Sequence, residues 1–336
     1  LRFYPSANDF AHVIGYLGRF NQQTLQGKDI SNYAASHYRG KQGLEKFYEA
    51  QLHGTVGYKI VETDAFGQIV RTIKQIRPVP GDDLILSLDA RLQHIAQLAL
   101  KPYRGALVAL EPATGAILAF ASTPSFNPNE FIKSLSQSRY NQLSHSPAQP
   151  LFNRALRGQY PPASTIKPFI ALAGLKQGTI TPVTAIEDKG WYQIPNTRHR
   201  YHDWRPSGHG HIDVFHAIYV SCDTFFYHLA HQLGITPLAK FLRHFGFGQF
   251  TQIDLNNEKR GLVPDPTWKR QSKHTMWYAG DTVLSGIGQG FLLATPLQLA
   301  SATAMLATRG KRYQPHLLDH YHTAQGTDVQ IVTVLN

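Results

Sequence analysis

Apolar residues are patterned differently along three stretches of the chain. Through residue 80 they form short runs broken by Gly, Asn and Asp. Within that stretch Gln68-Ile69-Val70-Arg71-Thr72-Ile73-Lys74 alternates apolar with polar, and a period of two predicts a strand. Pro78-Val79-Pro80-Gly81-Asp82-Asp83 has the composition of a linker. Leu84 to Leu88 then predicts a second strand, and Asp89 stands where an N-cap would open a helix running to Leu100. Ala106 to Leu110 and Ala116 to Phe120 flank Glu111-Pro112-Ala113-Thr114-Gly115, a β-hairpin pattern. From there to about residue 310 the pattern is mainly helical, with loops. No internal repeat or low-complexity segment interrupts it.

Two places in the helical stretch invite chemistry. The first is Ser164-Thr165-Ile166-Lys167, the only Ser-x-x-Lys in the chain. It follows Tyr160-Pro161-Pro162-Ala163 and opens the apolar run Phe169 to Leu175. Residues i and i+3 of a helix share a face, so Ser164 and Lys167 are expected to meet. A serine hydroxyl needs a base to become a nucleophile, and a buried lysine can supply one. A helix N-terminus offers N–H groups to a developing oxyanion. The plain alternative is an N-cap serine beside a solvated lysine.

The second place is Ser221-Cys222-Asp223. It splits a long apolar stretch, from Val214 through Val220 and from Thr224 to Leu233. Polar groups there are costly unless they have partners. A helix–loop–helix corner facing a cleft would provide them; the alternative is a pair of capping residues. Ser-x-Asn or Ser-x-Asp also occurs at Ser6-Ala7-Asn8 and Ser125-Phe126-Asn127, so the tripeptide alone carries little.

Composition narrows the class. The 336 residues are 42% hydrophobic and 16% charged, globular values that suit two domains or one large one. A net charge of +11 and a pI near 9.6 predict attraction to anionic surfaces. The basic residues are scattered and no nucleic-acid-binding motif is present, so an anionic membrane face or wall polymer is the expected partner and nucleic acid is not. No run of about 18 apolar residues occurs, and there is no signal-like segment. The single cysteine excludes an internal disulfide.

That cysteine closes a group of metal-ligand types: Asp188, His199, His202, Asp203, His209, His211, Asp213, His216 and Cys222. Four such residues can complete a tetrahedral zinc site, but the spacing matches no finger or ribbon, and a loop of solvated histidines is the rival reading.

Asn153 to Pro168 resembles the nucleophile region of penicillin-binding proteins, a superfamily marked by Ser-x-x-Lys, Ser-Asp-Asn and Lys-Thr-Gly. Tyr219 to Tyr227 is similar to the second-motif segment of the class B members, most closely the elongation type. His12-Val13-Ile14-Gly15-Tyr16, Gly40-Lys41-Gln42-Gly43-Leu44-Glu45 and Leu52-His53-Gly54 resemble their non-catalytic domain. Gly286-Ile287-Gly288-Gln289-Gly290 and Ala294-Thr295-Pro296-Leu297-Gln298 resemble a transpeptidase signature.

The resemblance implies an α+β fold: a mixed sheet flanked by helices, as in serine β-lactamases, with the hairpin giving two of five strands. Residues 1–80 would be part of an N-terminal non-catalytic pedestal or dimerisation domain, and 81–336 an incomplete transpeptidase domain. It implies a peptidoglycan D,D-transpeptidase of cell elongation, the target of β-lactams. Ser164 would be the nucleophile and Lys167 its base. Ser221 would relay the proton to the leaving amine, and Asp223 would orient Lys167 or the bound peptide. It also implies a structural zinc on Asp188, Asp203, His209 and Cys222, with His202 or His211 able to stand in for His209. Implied partners are wall stem peptides, a membrane glycosyltransferase and elongation-complex proteins. The implied location is the periplasm, below an inner-membrane anchor expected upstream.

One departure stands out. No Lys-Thr-Gly or Lys-Ser-Gly occurs in the chain, and the expectation is that it lies beyond Asn336. Its absence keeps a non-catalytic sensor or scaffold as an alternative. A serine D,D-carboxypeptidase or β-lactamase is the other. After residue 82 the glutamates are Glu111, Glu130, Glu187 and Glu258, and none lies in a Glu-x-x-Leu-Asn deacylation loop.

Overall fold

The expected β-hairpin is present in the computed structural model, as strands Gly105–Leu110 and Ile117–Thr123 paired antiparallel. The structure describes residues 2–19, 30–33, 38–133, 135–324, 326–330 and 334–335. The chain is α+β and divides into two compact units. One comprises Leu1–Arg157, Gln252–Glu258 and Leu306–Asn336; the other comprises Gly158–Thr251 and Lys259–Met305.

In the first unit the helix Ala90–Leu100 lies on the hairpin, with Ala96 against Ala119 and Ala121. Small residues allow that close approach. Asp89 caps the helix as expected, its Oδ1 accepting the N–H groups of Arg91 and Leu92 at 2.8 Å each. The strand expected at Leu84 to Leu88 is Asp83–Leu86, which pairs with Leu318–His322, itself paired with Asp328–Gln330. The alternating segment near Gln68 is Ile69–Ile76, paired with Tyr58–Thr63 in an exposed hairpin. Asp254 sits buried in this unit, accepting Leu317 N–H (2.8 Å), Leu318 N–H (2.9 Å) and Tyr48 Oη (3.0 Å). Burial raises its carboxyl above the usual aspartate range, and those three donors hold the rise back.

The second unit is built on the helix Asp223–Leu233, which packs against Lys167–Gln177 and Ala279–Ser285. Phe169, Ile170, Phe225, Phe226 and Leu229 form its fully buried interior. Two short antiparallel pairs, Ala185–Asp188 with Gly210–Asp213 and Trp191–Gln193 with Arg200–His202, organise the histidine-rich segment.

The sequence pattern did not anticipate Gln93. Its side chain is fully buried, and its amide donates to Phe120 O (3.1 Å) while accepting from Phe120 N–H (2.7 Å). It thus serves the strand as a neighbouring backbone would. Gln93→Leu would fill the volume but leave both Phe120 groups unpaired. It should lower the unfolding free energy by about 2 kcal/mol or more, read from denaturant titration; an unchanged midpoint would show that the amide contributes nothing.

Candidate active site

The two chemical motifs come together in the second unit, but not through Ser164. Lys167 is 1% exposed, and its Nζ reaches Asp223 Oδ1 (2.6 Å), Ser221 O (2.8 Å) and Ser221 Oγ (3.1 Å). Three oxygens thus surround the amine. Its amine also lies 5.5 Å from the centre of the Phe226 ring. Ser164 is exposed, and its hydroxyl has no hydrogen-bond partner among the described residues. It belongs to a 3₁₀ turn, Ala163–Ile166, and the α-helix begins only at Lys167. Ser164 therefore stands one turn before Lys167, at the junction of the 3₁₀ turn and the α-helix. Free-state geometry of this kind commonly tightens when a substrate arrives.

Ser221-Cys222-Asp223 forms the expected corner between helices Val214–Tyr219 and Asp223–Leu233. Ser221 is left-handed, with φ 57°, and Cys222 N–H closes the turn on Ala217 O at 2.9 Å. The turn directs the Ser221 carbonyl and hydroxyl at one amine. Cys222 caps the second helix, its Sγ accepting Phe225 N–H at 3.4 Å.

Behind this corner Asp188, Asp203, His209 and Cys222 converge, one ligand atom from each lying within 4.8 Å of the others. Asp188 Oδ2 accepts from His209 Nδ1 (2.7 Å), His209 N–H (2.9 Å) and Cys222 Sγ (3.4 Å). Asp203 Oδ2 accepts Thr224 N–H at 2.9 Å. Both carboxylates are buried, at 2% and 5% exposure, and neither has a lysine or arginine partner among the described residues. His209 Nε2 is buried without a partner. Burial would raise the Asp188 carboxyl, but bonds from Gly190 N–H, His209 and Cys222 outweigh it and hold it below the usual range. Burial, with Asp203 and Asp188 alongside, pushes the Cys222 thiol far above its ordinary value. Two buried carboxylates, an imidazole and a thiol without a fixed cation are a donor set that fits a divalent ion. His202 and His211 are exposed and lie outside the cluster.

Residues 105–334 match the penicillin binding protein transpeptidase domain, and 1–86 the penicillin-binding protein dimerisation domain. The chain belongs to the penicillin-binding protein transpeptidase family. It is 47% identical to the peptidoglycan D,D-transpeptidase MrdA of Acinetobacter baumannii, over 96% of this chain and 48% of that one. It therefore spans about half the length of that relative. The crystal structure of Pseudomonas aeruginosa PBP2 in complex with WCK 5153 superposes with a TM-score of 0.88 at 44% identity, covering 99% of this chain and 70% of that one. The complex between PBP2 and MreC from Helicobacter pylori gives 0.89 at 37% identity, covering 94% and 59%.

Two features of this penicillin-binding protein were not legible as site residues. Trp204 donates its indole N–H to Val220 O at 3.1 Å, and its ring lies 5.5 Å from that of His209. It links the ligand cluster to the residue before Ser221. Gly288 accepts Ala163 N–H at 3.0 Å, directly before Ser164. A Cβ on Gly288 would lie 2.3 Å from Ala163 O, and its φ is +70°. Gly288 is thus a packing requirement of the turn that carries Ser164. Gly288→Ala should cost at least about 1–3 kcal/mol in unfolding free energy and shift the Ser164 turn. A variant of native stability would remove this account.

Proposed function

We propose that the chain carries the acyl-transfer part of a peptidoglycan D,D-transpeptidase acting in cell elongation. The carrying observation is the buried Lys167 amine held against Ser221 and Asp223, one helical turn from the exposed Ser164. Ser164 Oγ attacks the carbonyl of a stem peptide ending in D-Ala-D-Ala, and its proton passes to Lys167 Nζ. Asp223 holds the amine in place. Ser221 Oγ, 3.1 Å from Nζ, relays the proton to the leaving D-alanine amine. The resulting acyl-enzyme is then taken by an amine of a neighbouring stem peptide. A β-lactam mimics the donor and leaves Ser164 acylated. The domain works in the periplasm, tethered to the inner membrane. Its partners are a membrane glycosyltransferase and elongation proteins, an MreC-like protein among them. No helix of the described residues is long and apolar enough to cross a membrane.

In the full-length protein Ser164→Ala should abolish covalent labelling by a fluorescent penicillin while the fold is retained. Lys167→Arg keeps the charge but removes the base, and acylation should fall by a factor on the order of 10² or more. Label that persists in the alanine variant sinks the assignment. Rapidly lost label would favour a carboxypeptidase or β-lactamase, and no label in the wild type a scaffold.

Asp188, Asp203, His209 and Cys222 would hold one zinc ion. The ion would supply fixed positive charge to the buried carboxylates and pin the corner that carries Ser221; a closed four-ligand site is structural. Protein purified without added metal should contain about one zinc per chain. Chelation should lower the melting temperature, and Cys222→Ser should remove the metal. Metal-free protein of undiminished stability would favour the histidine-rich loop.

A further inference from the structure

The first unit contains a second polar site, drawn partly from the segments His12 to Tyr16, Gly40 to Glu45 and Asn153 to Pro168 but without Ser164, Lys167, Ser221 or Asp223, which belong to the second unit. A cavity of about 130 Å³ is lined by His12, Lys41, Gln42, Arg157, Asn256 and Asn257, among others, and by no aspartate or glutamate. Two cationic side chains therefore share a small space without a counter-charge. Neither has a salt bridge among the described residues. Arg157 buries its Nε with no hydrogen-bond partner. His12 is 2% exposed, and its Nε2 lies 3.5 Å from Pro124 O. A buried guanidinium N–H without an acceptor is rare because it costs its full desolvation.

The surroundings sharpen the deficit. Burial lowers the pKa of the Lys41 amine, the charges of Arg39 and Lys46 lower it further, and Glu49 acts against them. Glu49 is outside the cavity lining and already accepts Gly40 N–H (2.6 Å) and Tyr33 Oη (3.2 Å). A water could satisfy the Arg157 N–H but would not neutralise two cations.

We propose that this cavity binds a small oxyanion of the phosphate class between Lys41 and Arg157. A guanidinium fork and an amine suit tetrahedral oxygens, and the carboxamides of Gln42, Asn256 and Asn257 add neutral donors. The volume is below the ~300 Å³ at which sites for drug-sized ligands begin, so the bound group is a single phosphate or sulfate head. The ligand would tie together His12, the strand end at Lys41, Arg157 and the turn at Asn256. Nothing in this inference depends on the acyl-transfer reading.

The test is thermal unfolding of the chain at constant ionic strength, titrated with inorganic phosphate, with phosphorus-31 line broadening as a direct readout of binding. The midpoint should rise saturably by roughly 2–4 °C. Lys41→Gln and Arg157→Gln should each weaken binding about tenfold or more. Should Arg157→Gln fail to fold, Lys41→Gln and the line broadening carry the test. Glycerol 3-phosphate in a parallel titration separates the sources: equal binding assigns the head of a larger phosphomonoester, and binding of inorganic phosphate alone assigns the free ion. No rise, or an equal rise in both variants from general salt exclusion, overturns the proposal and leaves a water-filled cavity.

Discussion

A buried amine sets the terms for the second unit. Lys167 is almost inaccessible to water, so each of its protons must find an acceptor within the protein. A helix alone cannot provide them, since the carbonyls of Lys167's own turn are committed to the helix ladder. The acceptors come instead from one corner, where Ser221 gives both its carbonyl and its hydroxyl and Asp223 gives a carboxylate. One residue can present both oxygens to the same point because its backbone is left-handed there. The chain's polar interruption between two apolar helices is therefore the condition for burying Lys167.

The same corner also orders the ligand cluster behind it. The first turn of helix Asp223–Leu233 has N–H groups that no helix can satisfy internally. Asp203 takes one at Thr224, and the Cys222 sulfur takes another at Phe225. Two of the four convergent residues thus serve as helix caps whether or not a metal is held. The positive end of the helix dipole offsets part of the charge on the buried carboxylates, by about 1 kcal/mol or so at best. That is small against the several kcal/mol per ion that burial costs. At Asp188 hydrogen bonds from Gly190 N–H, His209 and Cys222 make up the difference, and the four residues together remain a donor set that fits a divalent ion.

What the sequence made legible was local. The Asp89 cap, the hairpin and the Ser221 corner each follow from residues within a few positions of one another, and they appear where expected, with ends displaced by one to three residues. The resemblance gives the hairpin two strands of a five-stranded sheet whose others follow Lys-Thr-Gly, and among the described residues it stands as a two-stranded sheet. Contacts between distant segments could not be read in advance. Gln93 replaces a strand neighbour for Phe120, 27 positions on, and no propensity marks it for that. Spacing alone pairs Lys167 with Ser164; only the resemblance ties it to Asp223, and its hydrogen bonds go to residues 54 and 56 positions away. Trp204 reads as one more aromatic until its indole is seen to hold Val220 O.

Two of the left-handed, non-glycine residues fall in the same turns as the side-chain chemistry. Ala163, directly before Ser164, has φ 49°, and Ser221 has φ 57°. Each left-handed, non-glycine conformation costs of order 1–3 kcal/mol and persists only where its surroundings over-determine it. At Ala163 the constraint is Gly288, whose missing side chain lets its carbonyl close on the Ala163 N–H. At Ser221 it is the bond from Cys222 N–H to Ala217 O, reinforced by the buried amine. A serine placed on a relaxed helix would follow the fluctuations of one element. Here the proposed nucleophile and the proposed relay are each fixed by a strained turn braced against another segment of the chain. That bracing keeps Ser164 exposed to a substrate while Lys167, three residues on, stays buried.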